Sequence, residues 1–194
     1  VYTSYSQVDI VCLGSTAETY SIIPNLESDY FWQVTGGGNI VGPNNGTSIN
    51  VDWSSISTAT FISSAVILTE TNAAGCSESV YLDVDIVDNP DLDVTAITST
   101  ICIGDDIVLT ASAGYDTYLW SPSVITGNTG TYTPTDLSDN SFSVVATNSD
   151  GCSSSGFVNI TINDLPNVTA TISETEICVG DNVVMSATPG MSIY

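Results

Sequence analysis

The side chains in this sequence that could do chemistry are few in kind: five cysteines, 22 aspartates and glutamates, and the hydroxyls of Ser, Thr and Tyr. There is no Lys, Arg or His among the 194 residues. An imidazole base, a Schiff-base amine and a bidentate guanidinium are therefore all missing. Phosphates, nucleic acids and anionic membranes are held by cations, so a formal charge of −22 argues against each as a partner. No apolar run reaches the roughly 18 residues of a membrane span, which argues against direct insertion. Carboxylate pairs such as Asp105 and Asp106 occupy neighbouring strand positions whose side chains leave opposite faces, separating any acid from its base. The sequence predicts no enzymatic activity.

The cysteines carry a pattern. Cys12, Cys102 and Cys178 each begin a Cys-x-Gly triplet, and Cys76 and Cys152 each end an Asn-x-x-Gly-Cys run. Zinc sites draw on closely spaced Cys or His pairs. Here the nearest cysteines are 26 residues apart and His is absent, so an oxidised disulfide framework is expected. The carboxylates supply a second candidate chemistry. Asp83, Asp85, Asp88, Asp91 and Asp93 crowd one stretch, and could converge on Ca²⁺, a hard cation that takes about six to eight oxygens. The competing reading is a solvated acidic surface, since strand alternation alone turns Asp83 and Asp85 outward. No other cofactor is implied.

Strands must position these groups. The apolar fraction is 42% and charged residues are only 11%, with Val, Ile, Thr, Ser and Tyr abundant, which indicates a packed all-β chain and not a disordered acidic tail. An internal repeat organises it. Ile101-Cys-Ile-Gly-Asp-Asp-Ile-Val-Leu-Thr-Ala-Ser-Ala-Gly114 recurs as Ile177-Cys-Val-Gly-Asp-Asn-Val-Val-Met-Ser-Ala-Thr-Pro-Gly190, an offset of 76, and Val11-Cys-Leu-Gly14 begins a weaker copy. The runs Asn72 to Cys76 and Asn148 to Cys152 are also 76 apart. Prolines at Pro90 and Pro166, each following a long alternating strand, mark the handovers. The expected units are 1–89, 90–165 and, from 166 to 194, the start of a third, truncated copy.

Alternation places Ile107, Leu109 and Ala111 on one face, with Phe142, Val144 and Ala146 on another. Val158, Ile160 and Ile162 should face inward on the last strand of the second unit, and Val80, Leu82, Val84 and Ile86 on that of the first. Asn148-Ser-Asp-Gly151 reads as a hairpin turn, because Asn and Gly tolerate positive φ. Gly36-Gly-Gly38 reads as a tight strand connection. Trp32 and Trp120 are expected core aromatics. Trp53, next to Asp52, is a further core candidate with surface sugar contact as its alternative. Seven or so short strands per unit with a buried Trp describe tandem immunoglobulin-like β-sandwiches.

The order of Cys-x-Gly-Asp, an apolar strand, an aromatic-Trp couple at Tyr118-Leu-Trp120, Phe142-Ser-Val-Val-Ala-Thr147 and Asn148-Ser-Asp-Gly-Cys152 resembles the PKD-like and Ig-like repeats of very long Bacteroidota surface proteins. Gliding-motility adhesins exported by the type IX secretion system are among the carriers. The first unit, with Asn50-Val-Asp-Trp53, is similar to the PKD-like variant that has a second Trp. The resemblance implies an extracellular, cell-surface repeat segment whose partners are neighbouring repeats of the same chain. It also allows surface polysaccharide as a partner, and does not fix a ligand.

Two cysteine pairings stay open at this level. The preferred one places a bridge within each unit, Cys12 with Cys76 and Cys102 with Cys152, which requires a short, displaced first strand. Strand direction favours the other, because Cys-x-Gly and Gly-Cys turns belong at opposite poles of a sandwich, some 20 Å apart for a six-residue strand. In that case Cys12 reaches Cys152 of the next unit. Cys178 is expected to bond outside the segment in either scheme. Two functions follow from the residues together with what the resemblance implies: an acidic disulfide-stapled spacer that projects a binding region of an adhesin or filament, and a carbohydrate-binding or surface-binding module using exposed aromatics and calcium. The absence of Lys and Arg also removes every site for trypsin-like cleavage. Trypsin should leave the reduced, denatured segment intact on gel electrophoresis, and chymotrypsin should fragment it.

Overall fold

The computed structural model describes residues 8–122 and 125–189. The first residues, 1–7, and the end of the third repeat copy, 190–194, lie outside the described residues. Alternating β-branched and aromatic residues give seven strands among the described residues before Asp88: β1 (Val8–Cys12), β2 (Glu18–Ser21), β3 (Asp29–Val34), β4 (Asn39–Val41), β5 (Ser48–Asp52), β6 (Thr60–Thr71) and β7 (Ser77–Val87). They form one sheet in the order β1-β7-β6-β3 and a second in the order β2-β5-β4. Within the first sheet β1 runs parallel to β7, with Cys12 opposite Val87. The other pairings of this unit are antiparallel.

The inward positions of both sheets supply one core. It includes Val11, Tyr30, Trp32, Ile49, Val51, Trp53, Val66, Leu68, Val84 and Ile86. Fully burying an aliphatic or aromatic side chain contributes about 1.5–3 kcal/mol, so this set outweighs anything the polar surface offers. Trp32 donates its indole N–H to the Gly46 carbonyl at 2.8 Å. Trp53 is completely buried, which excludes the sugar-contact alternative for that residue. Val84 and Ile86 face inward as their alternation requires and Leu82 is half-buried, but Val80, near the β6–β7 turn, is 60% exposed.

A second sandwich follows. Its strands are β8 (Val94–Ala96), β9 (Thr100–Cys102), β10 (Ile107–Ala111), β11 (Thr117–Ser121), β12 (Thr129–Tyr132), β13 (Ser141–Thr147), β14 (Ser153–Asn159) and β15 (Thr161–Asn163). The sheets are β12-β10-β8 and β11-β13-β14, with β15 pairing parallel to β9. Ile107, Leu109, Ala111, Trp120, Phe142, Val144 and Ile160 form its core, and Trp120 donates to the Gly127 carbonyl at 2.9 Å. Val158 and Ile162 are partly buried against it. The two cores draw on residues 11–86 and 101–160, on either side of Asp88–Asp91. The protein is all-β, a tandem of immunoglobulin-like sandwiches. After Asp164 a single antiparallel pair, β16 (Ala170–Ile172) with β17 (Met185–Ala187), buries no described residue.

Gly36-Gly-Gly38 makes the tight β3–β4 connection. Gly36 and Gly37 take positive φ of 68° and 105°, and Gly38 lies flat against the core indole. A Cβ built on Gly38 would stand 2.5 Å from Trp53 Cζ3 and 2.6 Å from Val34 Cγ1. Gly38→Ala therefore overpacks the first core, and should lower unfolding stability in urea by about 1–3 kcal/mol. The mutation should leave the second sandwich's transition unmoved.

Candidate functional site: the junction between the sandwiches

Both cysteine motifs build defined turns. In each Cys-x-Gly motif the cysteine carbonyl accepts a hydrogen bond from the residue three places on, Ser15, Asp105 or Asp181, at 3.1 Å in all three. The central Gly14, Gly104 and Gly180 have φ of 83°, 87° and 104°, a conformation that selects Gly. In the later two copies the aspartate completes the turn, with Asp105 accepting from the Cys102 N–H and Asp181 from the Cys178 N–H.

The Gly-Cys motif is equally regular. Asn72 N–H donates to the Cys76 carbonyl and Asn148 N–H to that of Cys152. The side-chain oxygen of Asn72 accepts from the N–H groups of Ala74 and Cys76, and that of Asn148 from Asp150 and Cys152. The asparagine thus organises its own turn, which explains why it recurs four residues before the cysteine.

The structure joins Cys12 to Cys152, across 140 residues, with Cα atoms 5.4 Å apart. The within-unit pairing is thereby corrected: Cys76 and Cys102 are not bridged to Cys12 and Cys152, and they and Cys178 are free thiols. Strand direction is the reason. Cys12 lies beside Val87 at the end of β7, and Cys76 immediately precedes Ser77 at its start. The 11 residues between span roughly 35 Å at about 3.3 Å each, against the ~6 Å a disulfide allows. Cys102 faces Asn163 at the end of the second sandwich, and Cys152 precedes Ser153 near its beginning, so the same separation applies there.

The chain between the sandwiches is held from both sides. The Asn89 side chain donates to the Leu13 carbonyl of the first, at 2.9 Å. From the second, the Asn148 side chain donates to the Asp88 carbonyl and the Tyr115 hydroxyl to that of Asp91. Pro90 between them is buried. The disulfide sits in the middle of this arrangement, and Cys152 is fully buried, whereas Cys76 in the matching turn is exposed.

The five junction aspartates are not gathered into a cation site. Among the described residues no three His, Cys, Asp or Glu side chains group closely enough to hold a metal ion. Asp83 serves the backbone instead. Its carboxylate accepts from the Ser64 N–H at 2.7 Å and from the Ser63 hydroxyl, where β6 bulges opposite β7 and Ser64 takes a φ of 52°. Asp85 follows on the same outward face of β7, and Asp88, Asp91 and Asp93 are exposed along the linker. Elsewhere too, carboxylates satisfy nearby donors. Ser54 holds Asp52, Asn25 and Ser28 hold Glu70, and Ser138 holds Asp136 below the usual carboxylate range. Sequence reasoning missed the Asp83 role because a bulge shows only when the register of two strands is known.

No family model matches the sequence, and no curated protein matches it. Solved structures do. The four N-terminal Ig domains of Dscam1 isoform 1.9 align at 10% identity and a TM-score of 0.30 over 84% of this chain, which spans 45% of that one. An amphioxus IgVJ-C2 molecule aligns at 12% and 0.32, covering 78% of this chain and 99% of its own. The full ectodomain of mouse nectin-like molecule 4 aligns at 16% and 0.34, over 78% and 65% respectively. These values are too low to carry family or function, and the chain spans less than half of the Dscam1 segment.

Asn148 and Asn72 hold identical turns, but only Asn148 also bonds across the junction. Asn148→Ala should cost about 1–3 kcal/mol in calorimetry, and Asn72→Ala less, by the roughly 0.5–1.5 kcal/mol of the hydrogen bond to Asp88. Equal losses would show that the junction bond contributes nothing.

Proposed function

We propose that this chain is a structural segment of a secreted cell-surface protein. It acts as an acidic, disulfide-stapled spacer of Ig-like repeats that projects a binding region away from the cell. The observation that carries this reading is the Cys12–Cys152 bridge, which ties one sandwich to the next instead of bracing either alone. A bridge of that kind restricts bending between units, which is of use to an element that must hold a distance. Disulfides persist in oxidising compartments, which supports an extracellular setting. A uniform negative charge supports the same role, since like charges keep neighbouring segments from associating sideways. The sequence resemblance points to large Bacteroidota adhesins, including the gliding-motility type served by type IX secretion. Residues 1–89 and 90–165 are read as two repeats, the first PKD-like, and 166–194 as the opening of a third.

A second reading rests on a separate observation. Phe31 and Tyr81 are 47% and 60% exposed on the outer face of the four-stranded sheet of the first sandwich. Between them the hydroxyls of Thr69 and Ser79 hydrogen-bond at 2.8 Å. Aromatic faces flanked by hydroxyls suit a polysaccharide chain, and this is where such a ligand would lie.

Small-angle scattering tests the first reading. The oxidised chain should give a narrow distribution of maximum dimension, and Cys152→Ser or reduction should broaden it while circular dichroism stays unchanged. Equal breadth in both states would remove the spacer argument. Saturable binding to a polysaccharide panel, lost in a Phe31→Ala, Tyr81→Ala variant, would select the second.

A further inference from the structure

Each sandwich carries two thiols at opposite poles, and the single bridge uses one from each. Cys12 comes from the Cys-x-Gly turn of the first sandwich and Cys152 from the Gly-Cys turn of the second. Left over are Cys102, on the Cys-x-Gly turn of the second, and Cys76, on the Gly-Cys turn of the first.

The leftover thiols sit in the same local structure as the bridged ones. Leu13 N–H bonds to the Val87 carbonyl at 2.9 Å, and Ile103 N–H bonds to the Asn163 carbonyl at 2.8 Å. Cys12 and Cys102 are thus each placed beside the last residue of a parallel strand, β7 or β15, just before a proline-containing handover. Both are half-buried, with the turn glycine in the same conformation. Cys76 lies in a turn with the same four hydrogen bonds as that of Cys152. It is exposed where Cys152 is buried, and Cys152 is the one bonded to the neighbouring sandwich, through Cys12.

We infer that Cys102 and Cys76 are the two open halves of the same staple: Cys102 bonds the Gly-Cys-turn cysteine of an Ig-like repeat that follows the second sandwich, and Cys76 bonds the Cys-x-Gly cysteine of one that precedes the first. Connectivity then advances by one repeat at every junction, and no sandwich of the array contains a bridge of its own. Each bond forms from two thiols, which release two protons and pass two electrons to a disulfide oxidant such as oxidised glutathione by thiol–disulfide exchange. One contact is not carried over. Leu165 stands where Asn89 does one repeat earlier, so the hydrogen bond to Leu13 has no counterpart at the next junction. The inference deepens the spacer reading and rests on it for its biological sense. Its test is separate, because an array can hold its length without this connectivity.

The test inserts a second copy of residues 90–165 after Leu165 in the otherwise complete chain. The inserted copy carries Cys102→Ser, so that it cannot bridge within itself, and Ser155→Thr, which gives its Cys152 peptide a distinct mass. Cys76, Cys102 and Cys178 are unbridged in the structure, so the parent chain should show three free thiols after glutathione-buffered folding. The extended chain should have about two, because Cys102 is consumed, and a non-reducing chymotryptic map should join Cys102 to the mass-marked Cys152 peptide. About four free thiols, or Cys102 joined to the unmarked peptide, overturns the inference. The parent chain supplies an arm that needs no engineered repeat. Its map should show Cys12 joined to Cys152 with Cys102 open to alkylation, and any Cys102–Cys152 or Cys12–Cys76 bridge overturns the rule at its source.

Discussion

The parallel pairing of β1 with the far end of β7 decides where each thiol can go. It carries Cys12 to the downstream pole of the first sandwich, beside Val87. Antiparallel pairing of β6 with β7 leaves Cys76 at the other pole, in the connecting turn. Two thiols on one short strand pair could have met; two thiols at opposite ends of an 11-residue strand cannot. Once that is fixed, the next place at which a thiol comes within reach of Cys12 is the start of the following sandwich. The junction hydrogen bonds of Asn89 and Asn148 then act on a geometry that the strands have already set.

With no cation, the fold makes no use of side-chain ion pairs, and its cohesion comes from two apolar cores and from hydrogen bonds. Buried polar side chains are correspondingly scarce. Among the described residues Tyr20 is the one ionisable group that burial affects strongly, its phenol pushed well above the ordinary range by desolvation, with the Asp9 carboxylate adding to the shift. Neither the Tyr20 hydroxyl nor the Trp53 indole N–H finds a hydrogen-bond partner of good geometry. The two polar atoms lie near each other and near Asp9, so their burial is only partly compensated, and the packing of Trp53 beside Val51 and Val84 offsets it. Carboxylates meanwhile serve as acceptors for backbone N–H groups, as Asp83 does at the β6 bulge. Salt screens the repulsion among these charges and has no attractive side-chain pair to weaken, so ionic strength acts on this fold in one direction.

Much of this was legible in the residues. Alternation at Ile107–Ala111 and Ser141–Thr147 gave the correct inward faces, and the repeated Asn and Gly gave both turns before the cysteines. Trp32 and Trp120, expected in the core, are buried there. What alternation leaves open is anything that depends on the relation between strands far apart in sequence. The choice between Cys76 and Cys152 as partner of Cys12 turned on whether β1 lies parallel to β7, and no local pattern encodes that. The five aspartates of the junction looked like one cluster because they are close in sequence. In space they divide between the outward face of β7 and an extended linker.

The bridge also decides what kind of assembly these units can make. It joins two different surfaces, a downstream pole carrying Cys-x-Gly and an upstream pole carrying Gly-Cys. A contact between unlike surfaces does not saturate when two units meet, because each keeps one open end. Such a contact can repeat without closing on a pair, and the proposed staples at Cys76 and Cys102 would continue it in either direction. The flanks of the line are sheet edges and outward faces, which in β-sandwiches invite lateral pairing. A chain with 22 Asp and Glu side chains and no side-chain cation meets a second copy of itself with net charge of the same sign. The composition thus disfavours sideways association of copies.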